Sequence, residues 1–285
     1  MRGIMRGWSF ALLAGLAVVL MLATVGPVRA GEALEAFRGE SGTIRIAGGT
    51  AHIPVMKAAA EKIMRFNPKI RISIAGGGSG VGIKQVGEGL VDIGNSGRRP
   101  TDKEISHYHL KLFRWAMDGV GLAVNPKNPV LNLTRAQLKA VYAGRIASWK
   151  DLGWVDKPIN LYTRDKASGT RAVFWQKALD KGEIAAGANF VPSNGAMKTA
   201  IATDPYAIGY LSAGFLDDSV AAVSLDNIAP TRENIASGRY PVARGLYSNT
   251  RGEPRLLVKK FIDYLYSAAG KKLIAAKGFI PVAKD

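Results

Sequence analysis

The chain has 285 residues, with 39 Lys and Arg against 22 Asp and Glu, 3 His and no Cys. A chain without thiols forms no disulfide, and so few histidines disfavour a transition-metal site, so no metal or cofactor is expected. The formal net charge of +17 is dispersed, with no basic run longer than a pair such as Arg98-Arg99 or Lys259-Lys260. Such a surface draws any anionic partner toward it, whether small anion, nucleic acid or acidic lipid, and by itself does not choose among them or exclude a merely solvated basic face.

Arg2 and Arg6 precede an almost unbroken apolar run over residues 8–25, and Val28-Arg29-Ala30 follows. This pattern predicts a secretory signal over residues 1–30, cut after Ala30, and therefore a periplasmic protein; a retained anchor is the alternative. The rest of the chain is long enough for two α/β units with cores of their own.

From Thr43 the sequence reads TIRIAGGTAHIPVMKAAAEKIMRF. Ile44 and Ile46 alternate as in a strand, glycines end it, and Ile53, Met56, Ala60 and Ile63 recur at helical spacing. Pro54 falls in the first helical turn, where its missing N–H costs little. The next unit, KIRISIAGGGSGVGIKQVGEG, repeats the plan with Ile70, Ile72 and Ile74, so Thr50 and Ser79 stand at equivalent points. VDIGNSGRRPTDKE adds a short buried strand ending in Ser96, Gly97 and Arg98, with Asp92 assigned a structural role. His107 and His109 lie in a polar stretch and read as surface residues.

Residues 119–129, GVGLAVNPKNP, predict a strand and a crossover into a second unit. A capped helix with apolar Leu138 and Val141 follows, then a loop in which Trp149 and Trp154 read as packing residues. The apolar run 159–162 leads into RDKASGT, Arg164 to Thr170, and then into helix-forming sequence. A strand-to-helix turn of this kind aims free backbone N–H groups beyond the strand. Ser168, Gly169 and Thr170 would add small, close donors and Arg164 a positive fork, with Asp165 either holding the guanidinium or standing as an exposed turn aspartate. A capping motif without a ligand is the alternative for this turn taken alone. Ser193 and Asn194 open what reads as a fifth such unit, YAIGYLSAGF as a return strand, and residues 253–269 as a terminal helix.

Alternating strands and helices predict parallel sheets whose ligands gather at the carboxyl ends of the strands, where every one of these hydroxyl-bearing turns falls. The expected fold class is therefore α/β with two lobes. Residues 31–123 and 211–285 would form the first, residues 124–210 the second, and the ligand would sit in the cleft between them. GGGSGVGIK lacks the Gly-Lys-Ser/Thr ending of a nucleotide loop, and neither Ser79 nor Ser168 lies in a G-x-S-x-G elbow. Neutral donors plus arginine suit a tetrahedral oxyanion, whose oxygens they can saturate without burying several full charges.

The segments IRIAGGTAHIP, GGGSGVGIKQVGEGLVDIGNS, LAVNP, R-D-x-x-SGTR, AIGYLS and the closing GFIPV together resemble the periplasmic phosphate-binding proteins of the high-affinity phosphate ABC importer. The resemblance implies a type II periplasmic-binding fold that closes over inorganic phosphate, with no catalysis, as a monomer that meets transmembrane permease subunits and no nucleic acid. It implies contacts from Thr50, the Ala51 backbone, Ser79, Arg164, Ser168, Gly169 and Thr170, with Ser96, Gly97 and Arg98 as further contacts. Some members of that family carry an aspartate after the VDxG segment to accept the proton of hydrogen phosphate; here Gly97-Arg98 stands there. Phosphate and other tetrahedral oxyanions such as sulfate or molybdate are thus not separated by these residues. A serine-dependent phosphoester hydrolase, and a basic protein for nucleic acid or acidic membrane, are the remaining alternatives.

Overall fold

The computed structural model describes residues 32–284, so the expected signal over residues 1–30 lies outside the described residues. In chain order the first elements are α1 (Glu32–Glu35), β1 (Gly42–Gly48), α2 (Ile53–Phe66), β2 (Ile70–Gly77), α3 (Ser79–Gly87), β3 (Ile93–Ser96), α4 (Asp102–Tyr108) and β4 (Leu110–Val124). The middle of the chain holds β5 (Asn132–Leu133), α5 (Arg135–Tyr142), β6 (Asn160–Thr163), α6 (Gly169–Lys177), β7 (Asn189–Phe190), α7 (Asn194–Thr203) and β8 (Ala207–Ser212). It ends with β9 (Ala221–Leu225), α8 (Arg232–Ala236), β10 (Ala243–Arg251), α9 (Leu256–Tyr266), α10 (Ala268–Ala276) and β11 (Ile280–Pro281).

Hydrogen-bonded neighbours run β2-β1-β3-β10-β4-β8-β6-β7. β1 is parallel to both β2 and β3, and β6 is parallel to both β7 and β8. Between these parallel groups stand antiparallel β10 and β4. The first part of β4 pairs with β10 as far as Gly119, and from Val120 onward it pairs with β8 and β9 instead. One long strand thus passes from one lobe into the other.

Two apolar cores flank that crossing. The first gathers Phe37, Ile44, Ile46, Ile63, Trp115, Phe261 and Phe279. The second gathers Leu122, Tyr142, Trp149, Phe174, Tyr210, Val223, Leu225, Ile235, Tyr240 and Val242. The expected boundary at residue 211 is therefore corrected: Val223, Leu225, Ile235, Tyr240 and Val242 pack into the second core, Leu211 and Val220 join Met197 and Ile201 in a smaller cluster, and the chain returns to the first lobe only at β10. The return strand β8 does not end the second lobe because β9 and α8, too short to show a period of their own, bury Val223, Leu225 and Ile235 in the same core. The predicted terminal helix is likewise two helices, because extended Ser267 ends α9 and its side chain caps α10. Leu138, Val141 and Trp149 are buried in the second core as read, and His107 and His109 are exposed.

Packing in the second lobe sets the site. The Phe174 and Tyr210 rings stack with centroids 4.0 Å apart, and Tyr142 lies against both. Buried aromatics of this size contribute about 1.5–3 kcal/mol each. The stack also aims the Tyr210 hydroxyl at the end of β6, where it accepts from the Arg164 N–H (3.1 Å) and bonds Thr163 Oγ1 (2.9 Å). Burial pushes the Tyr210 hydroxyl up to about 12, so it stays neutral.

Candidate anion-binding site

At the carboxyl ends of β1, β2 and β3 the chain turns through Gly49-Thr50-Ala51, Gly78-Ser79 and Gly97; opposite them lies the turn from Arg164 to Thr170. Gly49, Thr50, Ala51, Gly78, Ser79, Gly97, Arg164, Ser168, Gly169, Thr170 and Arg244 line one small cavity, about 10 Å³ as space for the centre of a water-sized group. Eight of the ten residues expected from sequence are thus together. The lobes meet closely around it: Gly80 N–H donates to Ala167 O at 3.0 Å across the cleft. A Cβ on Gly78, whose φ is +89°, would fall 2.8 Å from Ala167 O, and one on Gly169 would fall 2.0 Å from Ser79 Oγ. Glycine at these positions is what lets the two walls approach.

Three helical segments begin at the cavity, at Thr50 ahead of α2, at Ser79 for α3 and at Gly169 for α6. Helix geometry leaves their first N–H groups without intrahelical acceptors and gives that end a partial positive charge. The hydroxyls are polarised the same way. Thr50 Oγ1 accepts from Asn194 N–H and Nδ2, Ser79 Oγ from Gly97 N–H, Ser168 Oγ from Arg171 N–H, and Thr170 Oγ1 from Arg244 Nη1. With their oxygens taken by donors, each of these hydroxyls has its proton left to give.

Arg164 is only 1 % exposed. Its Nη2 donates to Pro192 O at 2.9 Å, while Nε and Nη1 have no hydrogen-bond partner among the described residues. Burial lowers its pKa, Tyr210 and Asp165 opposing and Arg244 reinforcing the shift, yet a guanidinium remains charged under any physiological condition. Asp165 does not hold it: that carboxylate is exposed and accepts from Ala167 N–H at 2.7 Å, shaping the turn instead.

Two expected contacts are corrected. Arg98 points out of the cavity and makes a two-pronged ion pair with Glu104, both bonds at 2.7 Å, because the Thr101–Glu104 capping box of α4 brings that carboxylate beside it. Ser96 is fully buried but belongs to the sheet, its Oγ accepting from Asn249 Nδ2 at 2.9 Å. Asp92 is structural as read, accepting from Arg45 N–H and Arg255 Nε.

The arginine in the cavity wall is Arg244, which the sequence reading missed. Its Nε and Nη2 donate to Asp118 Oδ2 at 2.9 and 2.7 Å, and its Nη1 donates to Gly97 O at 3.2 Å and Thr170 Oγ1 at 3.0 Å. Burial pushes the Asp118 carboxyl up, and the Arg244 guanidinium with the Ser212 hydroxyl pulls against it. The available signal was Asp118 itself, an acid inside the apolar strand FRWAMDGVGLAV, which has to find a cationic partner when buried. Beneath the Thr50 turn, His52 is wholly buried with Nδ1 3.1 Å from Gly49 O; burial first and Arg244 second lower its pKa to about 3, so the ring is neutral.

Among known proteins, the family model of the PBP superfamily domain matches residues 35–269. The chain is 40 % identical over 245 residues to the phosphate-binding protein PstS of Bacillus subtilis, covering 85 % of this chain and 81 % of that one. In structure it is similar to a substrate-binding protein of Clostridium perfringens solved with bound phosphate, at a TM-score of 0.80 and 34 % identity over 85 % of this chain and all (100 %) of that one. An ABC-type phosphate transport receptor of Vibrio cholerae matches at a TM-score of 0.68 and 35 % identity, covering 83 % of this chain and 99 % of that one. With a mixed sheet in two lobes around a closed donor-lined cavity, the chain belongs to the PstS family of phosphate-binding proteins within the PBP superfamily.

Proposed function

We propose that this chain is a receptor that closes over one inorganic phosphate ion between its lobes and delivers it to the permease subunits of an ABC transporter. The observation that carries the reading is Arg164: a buried guanidinium with two nitrogens unpartnered among the described residues, at a cavity whose other polar side chains can all donate. Leaving buried donors unmatched costs about 1–3 kcal/mol each, so the arrangement makes sense as one side of an interaction with an acceptor-rich ligand. Thr50, the Ala51 backbone, Ser79, Gly97, Arg164, Ser168, Gly169 and Thr170 are the proposed contacts, and helix N-termini supply charge complementarity without further full charges. The relatives named for phosphate supply the choice among tetrahedral anions.

Hydrolysis has little support. The Ser79 and Ser168 hydroxyls accept from backbone N–H groups, and no His or carboxylate is bonded to either among the described residues. The proposed setting is the periplasm, reached by removal of residues 1–30, and the working unit is a monomer. Identifying the anion carried through purification, by phosphate assay and mass spectrometry, tests the reading: phosphate at one ion per chain is expected. Sulfate or molybdate in its place, not displaced by added phosphate, would retire the ligand assignment while leaving the fold untouched.

A further inference from the structure

A run of buried hydrogen bonds borders the cavity and passes through the point where the chain crosses between lobes. Arg244 and Asp118 are direct cross-strand partners on β10 and β4, one residue short of the last pair of that ladder, Ala243 and Gly119. Asp118 Oδ1 accepts from Ser212 Oγ of the second lobe (3.0 Å), and Ser212 N–H donates to Asn194 Oδ1 (2.9 Å). Asn194 Nδ2 then donates to Thr50 Oγ1 in the first lobe (3.0 Å). In the other direction Arg244 Nη1 bridges Gly97 O of the first lobe and Thr170 Oγ1 of the second, and Gly97 N–H donates to Ser79 Oγ. Every member is buried, Arg244 at 7 % exposure included.

We propose that Arg244, clamped by Asp118 at the crossing of the lobes, is a positioning residue that couples closure to anion capture. The inference rests on reading the cavity as the anion site. Its guanidinium completes its bonds only when Gly97 and Thr170 come together, which requires the lobes to be closed. In that state it fixes Thr170 Oγ1 as an acceptor, so that the Thr170 proton faces the anion. Its charge is matched by Asp118, so it contributes geometry without adding a second uncompensated cation beside Arg164. A planar fork with several donors suits this task, and an ammonium does not.

The test separates positioning from mere support of the fold. Removing one partner of a buried ion pair strands the other, whereas replacing both removes the charge imbalance. The double variant Arg244→Gln/Asp118→Asn is therefore prepared phosphate-free, its folding checked by circular dichroism and thermal melting, and it is titrated with inorganic phosphate beside Arg244→Lys and Arg164→Met. The expected result is a folded double variant that binds phosphate about thirtyfold or more weakly and, in small-angle scattering at saturating phosphate, stays more open than the wild type. Arg244→Lys should also bind weakly, although it keeps the charge. A double variant that folds and binds within about threefold of the wild type, about 0.7 kcal/mol, overturns the proposal. If the double variant does not fold, wild-type affinity in Arg244→Lys overturns it. Loss of binding in Arg164→Met with wild-type binding in the Arg244 variants would sink this inference alone; retention in all of them would sink the site reading itself.

Discussion

Replacing Arg164 with methionine should separate binding from stability in opposite directions. Arg164 is 1 % exposed, and among the described residues its guanidinium makes one hydrogen bond, to Pro192 O, and leaves Nε and Nη1 unpartnered. If those nitrogens meet phosphate oxygens, losing them costs about 2–5 kcal/mol of affinity, roughly 30-fold to 4000-fold in Kd. The phosphate-free protein, in contrast, keeps a buried charge that its surroundings do not match, and an unbranched apolar side chain of similar length removes that cost. Titration calorimetry should therefore show a large loss of affinity. Urea unfolding of phosphate-free samples should give the variant a stability equal to or above that of the wild type. A fall in phosphate-free stability as large as the loss in binding would refute the reasoning, because it would make Arg164 a structural residue of the β6 turn.

Gly169→Ala should keep each lobe folded and prevent closure, since the added Cβ would stand 2.0 Å from Ser79 Oγ; scattering at saturating phosphate should report an open particle and calorimetry a large loss of affinity. Arg98→Ala should leave phosphate affinity within about twofold of the wild type, less than about 0.5 kcal/mol, because its guanidinium is committed to Glu104 outside the cavity; a large loss would reinstate the sequence expectation. His52 titrates in the unfolded chain near 6.5 but only at about 3 when buried. Since the unfolded chain binds the proton more readily, stability attributed to neutral His52 is full above 6.5, erodes as pH falls below it and is wholly lost below about 3. Each pH unit inside that window is worth about 1.4 kcal/mol, so the urea-derived stability of His52→Phe should fall less steeply with acidification than that of the wild type.

The repeated strand, glycine turn and helix units were legible because each carries its own local signal: alternating isoleucines, then glycines, then helical spacing. Thr50, Ser79, Ser168 and Thr170 could be placed from sequence for that reason, as the residues that open a helical segment just past a strand end. Arg98 and Ser96 misled because direction is not local. Arg98 is drawn away by Glu104, and Ser96 faces Asn249 on β10, a strand that follows it by some 150 residues. Arg244 was illegible for the same reason: its role depends on the β4–β10 register that sets it opposite Asp118. The lobe boundary failed where short elements, β9 and α8, show too little periodicity to reveal the core they share with Leu122 and Tyr210.

The proposed state of the receptor is one phosphate ion held in this cavity between closed lobes. Calorimetric titration of refolded, phosphate-stripped protein with inorganic phosphate tests it most directly, with sulfate and molybdate titrated in parallel. One tight phosphate site per chain, weakened severely by Arg164→Met, is the predicted result. No binding of phosphate alongside tight binding of sulfate or molybdate would contradict the claim.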